Sequence, residues 1–271
     1  MHPILLKLGP VTLYSYGFMM ALAFLMCYYL LHREYRKRGE KPDFASNIVF
    51  WAAIGGIVGA KLFYILEFPS NFFINPLGMI FTGSGLVFHG GVIGGAVAVI
   101  IYLNRSQKPI LANGDIIIPI MFIGQAIGRI GCFLAGCCYG KISSLPWAVQ
   151  FPPGSIAAKE HFHLNLIASS APSLPVHPTQ LYEAVLNLLL FLILVKIIRP
   201  RTQKYGTTFG LYLIFAGIER FLIEFIRINP RYAFGLSSAQ YTSVGIVLMG
   251  VILLVFFTKE KTKQKSKMSK S

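Results

Sequence analysis

Charge is what this sequence has least of. Only 13% of its 271 residues are Asp, Glu, Lys or Arg, and the acids are scarcest, 10 against 25 bases. Soluble domains carry roughly 25% charged residues, so a water-exposed globular fold is excluded for most of the chain. Cysteine is also sparse, at four, and shows none of the paired Cys/His spacings of a metal motif. No metal and no cofactor is expected from the sequence. There is no linker long enough to separate two domains and no convincing internal repeat, which argues against an inverted-repeat transporter. A cleavable leader is not apparent either. Met1 to Pro10 is nearly uncharged, and the apolar run behind it reaches full spanning length, so it reads as a retained first span.

What the chain has in abundance is apolar sequence, 55% of its residues. Seven runs are long enough to cross a bilayer: 11–31, 48–66, 86–103, 116–135, 181–198, 209–225 and 241–257. About 20 apolar residues span a hydrocarbon core as a helix. The predicted fold is therefore an all-α integral membrane protein, a bundle of seven transmembrane helices over residues 1–257. Two connections, about 67–85 and 136–178, lie on one side. Residues 258–271 form a basic tail read as disordered.

The bases are unevenly placed. Connections after the first, third and fifth runs, together with the tail, hold sixteen Lys and Arg, and the opposite side holds five. This asymmetry predicts an outside amino terminus and a cytoplasmic tail, the latter held near anionic headgroups. The net charge of +15 is thus accounted for by membrane topology. A nucleic-acid partner is not expected, because the tail lacks interleaved aromatics.

Polar clusters interrupt the runs at ends that this topology places toward one face. They are Tyr14, Ser15 and Tyr16; His89 with Gly90 and Gly91; Arg129; and "ERFLIEFIR", residues 219–227. An arginine inside a span is costly and needs a cavity or partner. Arg129 therefore reads either as a functional cation or as half of an ion pair with Glu219 or Glu224. Arg220, Glu224 and Arg227 have i, i+4, i+7 spacing and are predicted on one helix face. Three arginines against Glu219 and Glu224 leave positive charge in surplus, which invites an anion. Guanidinium matches phosphate with a two-pronged fork, and lipid phosphate is the anion at hand. His89 reads as a base or hydrogen-bond partner to substrate, or as a satisfied core residue. Tyr16 also fits an interfacial anchor. Cys132, Cys137 and Cys138 read as small apolar residues at a helix end, and His161 and His163 as solvated loop residues.

These segments, in this order, resemble the bacterial prolipoprotein diacylglyceryl transferase family. The matching stretches are "YSYGFMMALAF", "GAKLFYILE", "GSGLVFHGGVIGG", "GQAIGRIGCFLAGCCYG", "PWAVQFP", "HPTQLYEA" and "RFLIEFIR". The resemblance implies a multi-pass protein of the bacterial inner membrane with its active site toward the outer face. It implies transfer of diacylglyceryl from phosphatidylglycerol to the lipobox cysteine thiol of a preprolipoprotein, with release of glycerol phosphate. Carried onto this chain, it makes Arg129 the lipid-binding arginine and Arg220 a second essential one. His89 and Tyr16 become important for activity, and Gly90, Gly140, Glu224 and Arg227 are assigned to the substrate site. The family signature resembles G-R-x-G-N-F-x-N-x-E-x-x-G, and here Cys132, Ala135 and Cys137 replace the two Asn and the Glu. The alternative function is a lipid or anion transporter with an arginine-lined path. A purely structural membrane subunit is the third reading.

Overall fold

The computed structural model describes residues 4–8, 11–82, 85 and 87–260. Most of the proposed tail lies outside the described residues. In chain order the elements are β1 (Ile4–Leu8), β2 (Val11–Tyr14), α1 (Ser15–Arg36), α2 (Pro42–Glu67), α3 (Pro69–Ile74), α4 (Pro76–Phe81), α5 (Phe88–Arg105), α6 (Ile110–Ala135), α7 (Ile156–His163), α8 (Thr179–Leu192), β3 (Lys204–Tyr205), α9 (Thr207–Ile223), α10 (Ser238–Ile252) and β4 (Lys259–Glu260). Helices α8 and α10 each continue in a wider π-helical turn, to Ile198 and Phe257. Among the described residues, five helices are long and apolar enough to cross a membrane: α1, α2, α6, and the extended forms of α8 and α10. The remaining two apolar runs fall on α5 and α9, of 18 and 17 residues.

One boundary departs from the sequence reading. Residues Val11–Tyr14, assigned above to the first span, instead form a strand paired antiparallel with β1. The β-branched and aromatic residues of "VTLY" favour an extended backbone, and the helix begins at Ser15, which is fully buried.

The chain divides into two compact units, Tyr28–Asn113 and the remainder. Within the first, α2 and α5 meet through glycines. A Cβ on Gly59 would sit 2.3 Å from the Gly90 carbonyl oxygen, and one on Gly94 would sit 2.3 Å from that of Gly55. Two backbones at this separation gain dispersion contacts that lipid does not supply. Gly59→Ala is therefore expected to force the helices apart and to lower stability by about 1–3 kcal/mol, the usual cost of overpacking. Thermal unfolding in detergent checks this; an unchanged midpoint would mean that the pair tolerates a wider spacing. Beyond α2, α3 and α4 expose Phe73, Ile74 and Phe81, each more than 80% accessible. Apolar side chains so exposed suit a segment lying in the membrane interface.

In the other unit, α9 and α10 approach in the same way: a Cβ on Gly217 would meet the Ser243 carbonyl oxygen at 2.8 Å. Phe122 of α6, Leu194 and Tyr212 make the core between α6, α8 and α9. Gln125 Nε2 donates to the Tyr212 hydroxyl at 2.8 Å. Helix α9 starts on Asp115 of α6, whose two carboxylate oxygens accept from the Gly206 and Phe209 amides, both at 2.8 Å. A carboxylate there satisfies free amides and faces the positive end of the helix. That role accounts for one of the few acids in an apolar chain.

The connection 136–178 is a folded cap. Its core is Tyr139, Phe151, Ala157 and Val176, with Phe133 against it. Single bridges join Ile142 and Val149 to Val176. His161, read above as solvated, is 2% exposed, and its Nδ1 accepts from the Leu174 amide at 3.0 Å. Burial pushes its pKa below the ordinary histidine value, so it stays neutral as that acceptor role requires. Tyr139 donates a hydrogen bond to Glu160. His163 is exposed, as expected.

Candidate active site

Arg129 sits in the second-last turn of α6, and its partner is neither acid that the sequence suggested. Arg129 Nη2 lies 2.6 Å from Glu183 Oε2, on α8. The other oxygen of that carboxylate, Oε1, accepts from Arg227 Nη1 at 3.1 Å. Arg227 Nε is 4.0 Å from Glu224 Oε2, and Glu224 Oε2 is 2.8 Å from Arg220 Nη1. The result is an alternating chain, Arg129–Glu183–Arg227–Glu224–Arg220, that ties α6, α8 and α9 together.

Glu183 corrects the charge balance drawn from sequence. With it, Arg129, Arg220 and Arg227 are matched in number by Glu183, Glu219 and Glu224. Arg231 tips the set back to positive. Its Nη2 donates to the Glu224 carbonyl oxygen at 2.7 Å, and its Nη1 to Gln240 Oε1 at 2.7 Å. The distribution matters more than the count. The Glu183 and Glu224 side chains are 1% and 0% exposed, whereas those of Arg129 and Arg220 keep 24% and 27%. The carboxylates are sealed in the protein while the Arg129 and Arg220 side chains keep partial access to their surroundings.

Arg227 is also placed differently from the helical-face reading. Helix α9 ends at Ile223, Glu224–Ile226 is a tighter 3₁₀ turn, and Arg227 is extended, with φ −92° and ψ 160°. The Asn-Pro at 229–230 disfavours further helix. Arg227 instead pairs as a bridge with Gly140. Gly140 donates to the His177 carbonyl oxygen at 2.9 Å, and Lys141 to that of Ile226 at 2.8 Å. A Cβ on Gly140 would lie 2.7 Å from the Ile226 oxygen, so only glycine lets the cap come this close to the arginine segment.

The "HPTQLYE" stretch acts as one device. Pro178 is the N-cap residue of α8, immediately before its first residue, Thr179. Thr179 Oγ1 donates to the Cys138 carbonyl oxygen at 2.8 Å and Gln180 Nε2 to that of Cys137 at 2.6 Å. Both side chains are fully buried. One turn later Glu183 takes the two arginines. A single helix start thus fixes the turn that follows α6 and the guanidinium within it.

Tyr16 lies beside the last turns of α6: a Cβ on Gly131 would be 3.4 Å from its ring. The tyrosine remains 45% exposed. His89 and Gly90 belong to the other unit, at the start of α5, where His89 is exposed. Gly90 packs on α2, since a Cβ there would be 2.5 Å from both the Gly59 oxygen and the Phe63 Cβ. The cysteines do more than end a helix. The Sγ atoms of Cys132, Cys137 and Cys138 all lie within 4.8 Å of one another, a convergence their spacing did not disclose.

An arginine inside an apolar helix, paired with a buried acid and still partly exposed, suits an enzyme that handles an anionic lipid. The prolipoprotein diacylglyceryl transferase family profile matches residues 3–256. The chain belongs to this family. Relatives named phosphatidylglycerol–prolipoprotein diacylglyceryl transferase come from distant bacteria. The Clostridium tetani protein is 37% identical over 254 residues, covering 93% of this chain and 96% of its own. That of Geobacter sulfurreducens is 34% identical, with 96% of each covered. The Idiomarina loihiensis protein is 31% identical, with 93% and 91% covered. As a member of the family this chain is a transferase of lipoprotein biosynthesis, with helices suited to a bacterial membrane. Sequence reasoning missed Glu183 as the partner of Arg129 and Arg227. The signal was available: Glu183 is an acid inside an apolar run, as anomalous there as Arg129 in its own.

Proposed function

We propose that this protein moves the sn-1,2-diacylglyceryl group of phosphatidylglycerol to the lipobox cysteine of a preprolipoprotein. The cysteine sulfur attacks the glyceryl carbon, a C–S bond forms, and the C–O bond to phosphate breaks. Glycerol phosphate leaves with the electron pair of that bond, and the thiol proton passes to a base or to the departing phosphate. The observation that carries this reading is the asymmetric burial at the arginines. Sealed acids orient Arg129 and Arg220, and their accessible faces stabilise the phosphate as negative charge grows on it. His89 is proposed as the base or hydrogen-bond partner of the reacting groups. Tyr16, Glu224, Arg227 and Gly140 are proposed to line or shape the site.

The test is direct. Purified protein in phosphatidylglycerol mixed micelles should add the mass of one diacylglyceryl group to a lipobox peptide. It should leave the Cys→Ser peptide unmodified. An unmodified cysteine peptide, with intact protein and lipid present, would reject the reading.

The same proposal needs seven spans, an outside amino terminus and a site toward the outer face. A reporter fused after Ser271 is expected to be active only in the cytoplasm, and a tag in residues 136–178 to be reached only from outside. The reverse pattern would put the arginine site on the wrong side of the membrane for an exported substrate.

A further inference from the structure

We propose that Cys132, Cys137 and Cys138 form a binding site for a thiophilic d¹⁰ cation, with Zn²⁺ as the ligand. Three independent features of the fold meet here. The first is the convergence of the thiols: each offers one sulfur, and all three sulfurs lie within 4.8 Å of one another. Zinc–thiolate bonds of about 2.3 Å in a tetrahedral set place sulfurs about 3.8 Å apart. The three thiols therefore need contract by only about an ångström to share one ion.

The second is the turn that makes this convergence. Gly136 and Cys138 both have left-handed backbones, with φ of 73° and 63°, and Cys138 is not a glycine. The left-handed region is disfavoured for a side-chain-bearing residue, and it is kept here by outside support. That support is Thr179 and Gln180, which hold the carbonyls of Cys138 and Cys137 and are themselves fully buried. The sulfurs are thus arranged by the protein before any ion arrives, which reduces the ordering that binding requires.

The third is charge. Three thiols lose three protons on binding, and the Zn²⁺–trithiolate unit carries one negative charge. Arg129 is close enough to Cys132 and Cys138, and Arg227 to Cys138, to interact with them electrostatically. Three protein ligands leave a fourth position for water or an external donor, the arrangement of an open zinc site.

The ion would pin the turn 136–138 to the last turn of α6. Cys27, half-buried in α1 and hydrogen-bonded to the Ile120 carbonyl oxygen, takes no part.

Reduced protein in detergent is titrated with Co²⁺ as a spectroscopic probe and then with Zn²⁺. A thiolate-to-metal charge-transfer band should appear at about one Co²⁺ per chain and vanish as Zn²⁺ displaces it. Cys137→Ser should weaken Co²⁺ binding by more than the roughly 10–100-fold that loss of an outer hydrogen-bond partner costs a metal site. Cys27→Ser should leave the band intact. Should Cys137→Ser fail to fold, the wild-type chain still decides: Zn²⁺ should protect Cys132, Cys137 and Cys138 together from maleimide, as read residue by residue by mass spectrometry. Absence of the band and of protection would overturn the proposal. So would a disulfide among the three in protein isolated without reductant.

Discussion

Replacing Arg129 by lysine is expected to reduce turnover by about a hundredfold, the scale of losing one transition-state donor worth about 3 kcal/mol. The membrane-inserted fold should survive. The prediction turns on the contact to Glu183. Only Nη2 of Arg129 makes that 2.6 Å pair. A lysine ammonium could keep the ion pair with little change in net charge. It could not also offer a planar fork to two oxygens of a phosphate diester. A merely structural Arg129 would therefore be replaced with near-normal activity, and a phosphate-binding one would not. The measurement is lipobox-peptide lipidation at saturating phosphatidylglycerol, after thermal stability has been matched to wild type. Near-normal turnover would return Arg129 to the role of counter-ion.

Glu183→Gln is expected to damage both stability and activity. Glu183 is 1% exposed and gives one oxygen to each of two arginines. An amide has one oxygen, and its NH₂ group would face a guanidinium as donor against donor. Removing one partner of a buried pair typically costs about 3–5 kcal/mol; the lower end applies here, because Arg129 retains some access to solvent. Glu183→Asp, which keeps the charge on a shorter arm, should recover part of both losses. Unfolding in detergent and peptide lipidation read the two effects separately. A Gln variant with wild-type stability and rate would mean that Arg129 and Arg227 are positioned by something other than Glu183.

Single residues that violate their surroundings were legible in the sequence. Arg129 stood out in an apolar run, and Gly55/Gly59 and Gly90/Gly94 carry the four-residue spacing that allows close helix contact, although that spacing does not say which helices meet. The partners of such residues were not legible, because pairing across helices depends on rotation and depth that one helix's pattern does not contain. Glu183 shows this: it shares no local spacing with Arg129, 54 positions away in the sequence. Arg227 shows a different limit. Its i+7 spacing from Arg220 promised a shared face, but the helix ends before it, and a bridge to Gly140 sets its direction instead. The thiol convergence depends on two left-handed residues, Gly136 and Cys138, on either side of Cys137, and nothing in "AGCCYG" marks the second of them. Arg231, four residues past Arg227, reads as an ordinary loop charge until the fold brings it to Glu224.

The Asp115 cap gives α6 and α9 a common origin. From Asp115 to Arg129 is 14 residues, about 21 Å of helix, and from Phe209 to Arg220 is 11, about 16 Å. Any slip of one helix by a single residue would move its guanidinium about 1.5 Å along the axis and swing it about 100° around it. Displacements of an ångström at reacting groups are enough to cost two orders of magnitude in rate. The placement of the two guanidinium groups on which the proposed phosphate contact depends is thus set some 20 Å away, by a carboxylate at the far end of both helices. Two helices zeroed against the same mark can be read against each other like the scales of a vernier.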